Sequence, residues 1–353
     1  MTKLKVGYSP LSKDLKSAGD RRRLIFWTKA RGHRLTTDLN QKLDIIVATE
    51  NSDFNSPIFS QRKIPIIFDL VDAYLSPLNP LDDLARGVAK KISGQISGEI
   101  RPFSHHVRDF CKNVNSVICS SIEQEFEIKK FQDRTHVILD SHDEMPLLTP
   151  KVNYDQSSRD FRILWEGQPA TIRGVKNLVS VLSKLQKSSS MNLDFVTDEN
   201  YFLFLNKYVR RETRKLLDSN LRQVSREINL IPWSIENLVS KAKKASVGII
   251  PIDLKVPMQK LKPENRLLIM WRLGIPCLTS PSPAYIRVSK QAGTDTVCRD
   301  PNEWFDKLSQ FRYSSSFALG EVSKSQQYLA ENHTSKILLN KWDAAVESAL
   351  GNR

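Results

Sequence analysis

Short apolar runs alternate with helical stretches along this chain, and no other feature limits its fold as tightly. "KLKVGYS", "LDIIVATE", "IPIIFDLVD", "NSVICSS" and "THVILDS" come first, with "RRRLIFWTKARGH" as the helix after the first run. Runs that are apolar throughout have to be covered on both faces, which predicts parallel strands joined by right-handed helical crossovers. A polar link, "SHDEMPLLTPKVNYDQSSRD", interrupts the pattern. It restarts at "FRILWEG", "MNLDFVT", "REINLIPW", "SVGIIPI" and "IPCLTS". The expectation is an α/β protein of two Rossmann-like, doubly wound parallel-sheet domains, over residues 1–148 and 149–324. A helical tail over 325–353 is expected to pack on the second domain and return to the first. Doubly wound sheets bind ligands at the carboxyl ends of their strands, so a cleft between the two is the expected site. A chain of 353 residues is long enough for two such cores.

Charge narrows the partners. The net charge is +14, of which residues 1–150 contribute +3 and the remainder +11. "NKYVRRETRKLLDSNLRQVSRE" carries Lys207, Arg210, Arg211, Arg214, Lys215, Arg222 and Arg226, and reads as a helix followed by a second short one. No aromatic platform, zinc spacing or helix-turn-helix pattern accompanies it. A solvated helix face or an anionic surface therefore fits better than nucleic acid. No run of about 18 uncharged apolar residues is present to span a membrane. "MTKLKVGYSP" reads as a first strand, not a signal peptide. Cys111, Cys119, Cys277 and Cys298 fall in no metal or redox spacing, which fits reduced thiols in a cytoplasm. His105 and His106 read as an exposed pair with no acidic or cysteine partner at ligand spacing, so no metal site is expected there.

One stretch points to an anion. In "KPENRLLIMWRLGIPCLTS", Pro263 suits a first helical turn, Leu267, Leu268 and Trp271 form an apolar stripe, and Gly274 with Pro276 stops the helix before a strand. The free N–H groups and partial positive charge of a helix N-terminus, with Asn265 and Arg266 in the first turns, would complete a phosphate site. Simple capping and solvation is the competing reading.

Several segments resemble GT-B glycosyltransferases of the retaining, sugar-nucleotide-dependent group 1 type. "ILWEGQPATIRGVKNLVSVL" is similar to the start of their C-terminal domain, with Gly167, Arg173 and Gly174 in matching places. "INLIPWSIENLVSKAKKASVGIIPI" resembles the next landmark, and the Lys262–Ser280 stretch resembles the element that cradles the nucleotide diphosphate, matched at Asn265, Arg266, Gly274 and Pro276. "SAGDRRRLIFWTKARGH", through Gly19 and Arg31-Gly32-His33, and "NSVICSSIEQEF" carry the likeness into the N-terminal half. Departures accompany it. The family's two glutamates, eight positions apart, fall at Leu261 and Ile269, its Gly-Arg becomes Gly167-Gln168, and its His-Asp becomes Val71-Asp72.

The resemblance implies a nucleotide-sugar donor as co-substrate, no separate cofactor and no metal. The acceptor would be a polysaccharide, a glycolipid or another cytoplasmic molecule, with weak electrostatic membrane association through the basic helix. Arg173 and Arg266 are expected on the diphosphate, because a guanidinium bonds phosphate oxygens bidentately, with Lys262 assisting. Glu166 would accept from a ribose or sugar hydroxyl. Asp72 or Asp69 would be the general base, with capping and solvation as the alternative for each. Gly19 is expected in the turn before the first helix, with Asp20 as its N-cap. The missing acids motivate a rival: an inactive glycosyltransferase-like protein that binds a nucleotide or a partner chain. A GT-B epimerase is a third, weaker reading, since it would want more acids near the anomeric carbon.

Overall fold

The computed structural model describes residues 2–61, 63–76, 79–151, 154, 161–188, 190–203 and 209–351. The chain forms two compact units. The first holds residues 1–143, 256–263 and 334–353, and the second residues 144–255 and 264–333. The sequence boundaries at 148 and 324 therefore differ from the structural ones. The helix Ser315–Asn332 stays with the second unit, whereas Ser335–Leu350 belongs to the first.

The first unit is built on six parallel strands: β1 (Lys5–Ser9), β2 (Arg34–Thr36), β3 (Ile45–Thr49), β4 (Ile66–Leu70), β5 (Ser116–Cys119) and β6 (Thr135–Val137), in the order β2-β1-β3-β4-β5-β6. Their strict alternation sorts the core. Ile45, Val47 and Ile67 face one side with Trp27 and Trp342, while Ile46, Ala48, Ile66 and Phe68 face the other with Val107 and Phe110. The last helix covers the first face. Trp342 stacks on Trp27 at 5.9 Å, and Trp27 Nε1 donates to Asp343 at 2.8 Å. Helix α1 (Ala18–Arg21) leads into α2 (Leu24–Arg31), which stops at Gly32 because a φ of 68° suits glycine.

Helix α3 (Pro80–Ile92) inverts the usual pattern, burying Asp83 and Lys90 while Leu81 and Ile92 are 78% and 79% exposed. The buried charges are satisfied. Asp83 accepts from Ser104 N and Oγ at 3.0 and 2.5 Å, and Lys90 Nζ donates to the Glu50 carbonyl at 3.1 Å. Gly87 lets the helix approach this closely, since a Cβ there would lie 2.0 Å from the Arg101 carbonyl oxygen.

The second unit carries β7 (Phe161–Glu166), β8 (Met191–Thr197), β11 (Ile228–Pro232), β12 (Val247–Ile250) and β13 (Cys277–Thr279), all parallel, in the order β11-β8-β7-β12-β13. A separate antiparallel pair joins β9 (Asn200–Leu203) and β10 (Val209–Glu212). This corrects the expected basic helix. Arg210 and Arg211 lie exposed on β10, and only Arg214 and Lys215 lie on a helix, α4 (Thr213–Asn220). Arg222 follows in a 3-10 turn, while Lys207 and the Arg226 side chain lie outside the described residues. Helix α5 (Asn265–Arg272) buries Leu267, Leu268 and Trp271 as its spacing predicts. Among the described residues no helix is long and apolar enough to cross a membrane.

Candidate functional site

In the second unit the chain turns sharply where β7 ends. Gly167 has φ 155°, and a Cβ on it would lie 2.9 Å from the Arg266 guanidinium carbon. The absent side chain makes room for the cation. Arg266, on the first turn of α5, lies over the Trp165 ring at 5.1 Å and donates through Nη2 to the Glu166 carbonyl. Its Nε is 3.8 Å from Glu166 Oε2. Glu166 Oε1 accepts from Trp233 Nε1 at 3.1 Å. Oε2 and the Arg266 Nε are buried and have no hydrogen-bond partner among the described residues. Glu166, Gly167 and Arg266 thus meet as expected of neighbours at one strand end. Trp165 and Trp233 join them, and sequence reasoning missed both. The signal available was that each sits in the last positions of, or directly after, an apolar strand.

The other expected residues are placed differently. Helix α5 begins at Asn265, not in a turn containing Pro263. Its N-cap, Glu264, makes no capping bond because Arg287 holds its carboxylate at 3.1 and 3.2 Å. Asn265 is the first, half-buried residue of α5. Arg173 is exposed on a 3-10 segment, Pro169–Leu178, and makes no ion pair among the described residues. Neighbouring Gly174 is required for packing, since a Cβ would fall 2.3 Å from the Pro251 carbonyl oxygen. Lys262 groups with the first unit, where its Nζ lies 3.6 Å from Asp72 Oδ1.

The strand ends of the first unit hold several carboxylates, each in a different setting. Asp69, on β4, is 1% exposed and forms a bidentate pair with Arg23, Oδ1 lying 2.5 Å from Nη2. Arg23 also donates to Asp140 at 3.2 Å and to the Ile138 carbonyl at 2.7 Å. Burial alone would lower the Arg23 pKa, but Asp69 and Asp140 hold it above its ordinary value. This differs from the expectation for Asp69 as an exposed strand-end base: its oxygens are committed to Arg23 inside the core. Gly19 lies inside α1, not in the turn before it, and a Cβ would meet Leu11 Cδ1 at 2.4 Å. Ser17 is the N-cap. Asp20 instead gathers the loop after β1, accepting from Tyr8 Oη, Leu11 N, Ser12 N, Ser12 Oγ and Ser17 Oγ at 2.6–2.9 Å.

Asp72 remains partly exposed. Its backbone carbonyl accepts from Gln124 Nε2 at 2.9 Å, and Gln124 Oε1 accepts from Ser120 N, which ties the end of β4 to that of β5. Beside it lies Glu50, directly after β3 and 4% exposed, a residue the sequence did not single out. Glu50 Oε2 accepts from Val71 N at 3.3 Å. Burial, then the nearby Asp72 charge, pushes its carboxyl up to about 8. Lys90, bonded to its carbonyl, is lowered to about 8 by burial. Of the expected histidine pair, His105 is exposed but His106 is buried, its Nδ1 accepting from Arg101 Nε at 3.3 Å. All four cysteines are free and buried, and no three His, Cys, Asp or Glu among the described residues could hold a metal ion.

No protein-family model and no curated protein matches the sequence. Solved structures do. HepE from Anabaena, crystallised with UDP and glucose, superposes with a TM-score of 0.66 at 9% identity over 98% of this chain and 100% of HepE. A glycosyltransferase from Rickettsia africae ESF-5 gives 0.58 at 15% identity over 100% of both chains. TarM of S. aureus gives 0.58 at 10% identity over 85% of this chain, which spans only 54% of TarM. Identities this low carry the fold alone. With two parallel sheets covered by helices and these structural neighbours, the chain has the GT-B fold.

Proposed function

We propose that the protein is a glycosyltransferase that moves a sugar from a nucleotide-sugar donor to a polysaccharide, glycolipid or other carbohydrate-bearing acceptor. One observation carries this reading. At the strand ends of the second unit, a buried carboxylate oxygen and a buried guanidinium nitrogen lie 3.8 Å apart, each without a hydrogen-bond partner among the described residues. Such groups are costly to leave unsatisfied, and a ligand that offers both a hydroxyl and an anionic oxygen answers them. A nucleoside diphosphate has both. HepE, of the same fold, was crystallised with UDP and glucose.

In this reading Glu166 accepts from a ribose or sugar hydroxyl. Arg266, Arg173 and the α5 N-terminus, with Asn265 at its head, stabilise the departing diphosphate. Gly167 gives the ligand backbone access. Asp72, a partly exposed carboxylate just after β4, meets the acceptor hydroxyl with Lys262 beside it. Cations and a helix terminus serve the leaving group, so the reading needs no metal. The exposed Arg210, Arg211 and Arg214 would add reversible attraction to anionic headgroups, which salt would screen.

A rival reading, nucleotide or partner binding without catalysis, is favoured by one observation: Ile269, where the resemblance places a glutamate, is 3% exposed in the core. Calorimetry with UDP, GDP and ADP, followed by transfer assays over a panel of sugar nucleotides, separates the two. Binding of one nucleotide with transfer supports the enzyme, binding without turnover on any donor supports the rival, and binding of none removes the enzyme and leaves only the partner-binding form of the rival.

A further inference from the structure

In the second unit three hydrogen bonds close a ring around the end of β7. Thr197 Oγ1 donates to the Gly167 carbonyl at 2.6 Å, Trp233 N donates to the Thr197 carbonyl at 3.0 Å, and Trp233 Nε1 returns to Glu166 Oε1 at 3.1 Å. Because β8 lies between β7 and β11, the indole reaches over the end of β8 to meet the carboxylate. Its own turn is fixed as well: Asn237 Nδ2 donates to the Pro232 carbonyl at 2.9 Å, and Ser234 caps the helix Ile235–Ala242. Indoles in this unit do not all find a partner. Trp165 Nε1 and Trp271 Nε1 are buried without one among the described residues, whereas the half-buried Trp233 gives its N–H to a carboxylate.

The ring settles which oxygens of Glu166 are free. A guanidinium and a carboxylate at this range close into a two-bond fork when both oxygens turn to it, as those of Asp69 do on Arg23. In Glu166, Oε1 is held by the indole, Oε2 stands 3.8 Å from Arg266 Nε, and Arg266 Nη2 is spent on the Glu166 carbonyl. One charged oxygen and one guanidinium nitrogen are left over, buried side by side.

We propose that Trp233 is a positioning residue that holds the Glu166–Arg266 pair open, so that Glu166 Oε2 selects ligands by a hydroxyl set beside their phosphate. The inference deepens the nucleotide-sugar reading and rests on it. Two sources share this chemistry, the ribose of the nucleotide and the sugar it carries. Without the indole N–H the carboxylate turns onto Arg266, the pair saturates itself, and the hydroxyl loses its acceptor. The fold loses little by this, because a closed pair satisfies both buried atoms. Ligand choice takes the loss.

The test is calorimetry on the wild type, Trp233→Phe and Glu166→Gln, with thermal unfolding checked for each. The probes are UDP, GDP and ADP, the 2′-deoxy and 3′-deoxy forms of whichever binds, and its glucose conjugate. The wild type should prefer the hydroxyl-bearing ligand by about 10- to 100-fold, the usual worth of one hydrogen bond to a charged group. Trp233→Phe and Glu166→Gln should each cut that preference to under about threefold. A preference over the deoxy forms assigns the ribose, and a preference for the conjugate over the bare diphosphate assigns the sugar. A Trp233→Phe protein that keeps the wild-type preference, or that weakens every ligand equally, overturns the inference while the nucleotide-sugar reading stands. A wild type with neither preference overturns it too. If Trp233→Phe does not fold, Glu166→Asp takes its place, since the shorter side chain draws the carboxylate away from the indole; a preference it retains overturns the inference and one it loses supports it. A wild type that binds no nucleotide removes the reading and the inference together.

Discussion

Two arginine–carboxylate pairs stand at strand ends, one in each unit, and they differ in completeness. Arg23 and Asp69 are 0% and 1% exposed, joined bidentately, and Asp140 and a carbonyl accept from Nη1 of the guanidinium. Arg266 and Glu166 retain 22% and 11% side-chain exposure, stand 3.8 Å apart, and each leaves a polar atom unsatisfied. Identical chemistry thus plays two parts. A saturated buried pair locks β4 to α2's entry and the end of β6, whereas an unsaturated one keeps capacity for a ligand. Solvent access and spare donors make the difference.

The largest expected effect attacks the closed pair. Arg23→Ala strands Asp69 and Asp140 as buried charges and should cost about 3–5 kcal/mol in unfolding free energy, read by denaturant melts. A loss below about 1 kcal/mol would erase the distinction between the two pairs.

Glu50 sharpens the comparison from the unpaired side. Its folded pKa lies above the unfolded value, so its neutral form stabilises the fold fully below the unfolded carboxyl pKa, and that contribution fades as pH rises toward about 8. Relative to Glu50→Gln, the wild type should therefore lose roughly 2–4 kcal/mol between pH 5 and 8. Parallel stability curves for the two proteins would show that burial is not confining this carboxyl.

Opening the unsaturated pair should move binding more than stability. Arg266→Ala and Arg173→Ala are each expected to weaken nucleoside diphosphate binding by about 1.5–3 kcal/mol by calorimetry, with melting temperatures nearly unchanged. Unaltered affinity in both variants would make Arg266 a structural residue like Arg23. The floor is set by exposed cations with no ion pair among the described residues: Arg210→Ala with Arg211→Ala should shift stability by under about 0.5 kcal/mol in either direction.

How much of this was legible beforehand depends on the range of the interaction. Gly274 at φ 65° after α5 and the buried stripe of α5 followed from local spacing, because caps and apolar periodicity act within a few residues. Near the sites, Gly167 and Arg266 were readable as neighbours of strand and helix ends. The fate of Asp69 was not: Arg23, which binds it, is 46 residues away. Glu50 is one acid among many in the sequence and becomes unusual only through its burial.

The sequence by itself determined the class of fold, two parallel sheets with helical crossovers, because each apolar run needs cover on both faces and each polar link ends a layer. Tertiary structure decided the rest. It chose Trp342 on Trp27 as the contact by which the returning tail packs on the first sheet, placed 256–263 with the first unit, and put Arg210 and Arg211 on a strand paired antiparallel with 200–203. It also chose which carboxylates are paired and which are left open. Backbone preference and hydrophobic period are properties of a few consecutive residues, whereas charge pairing and desolvation depend on residues that meet only when the chain has folded.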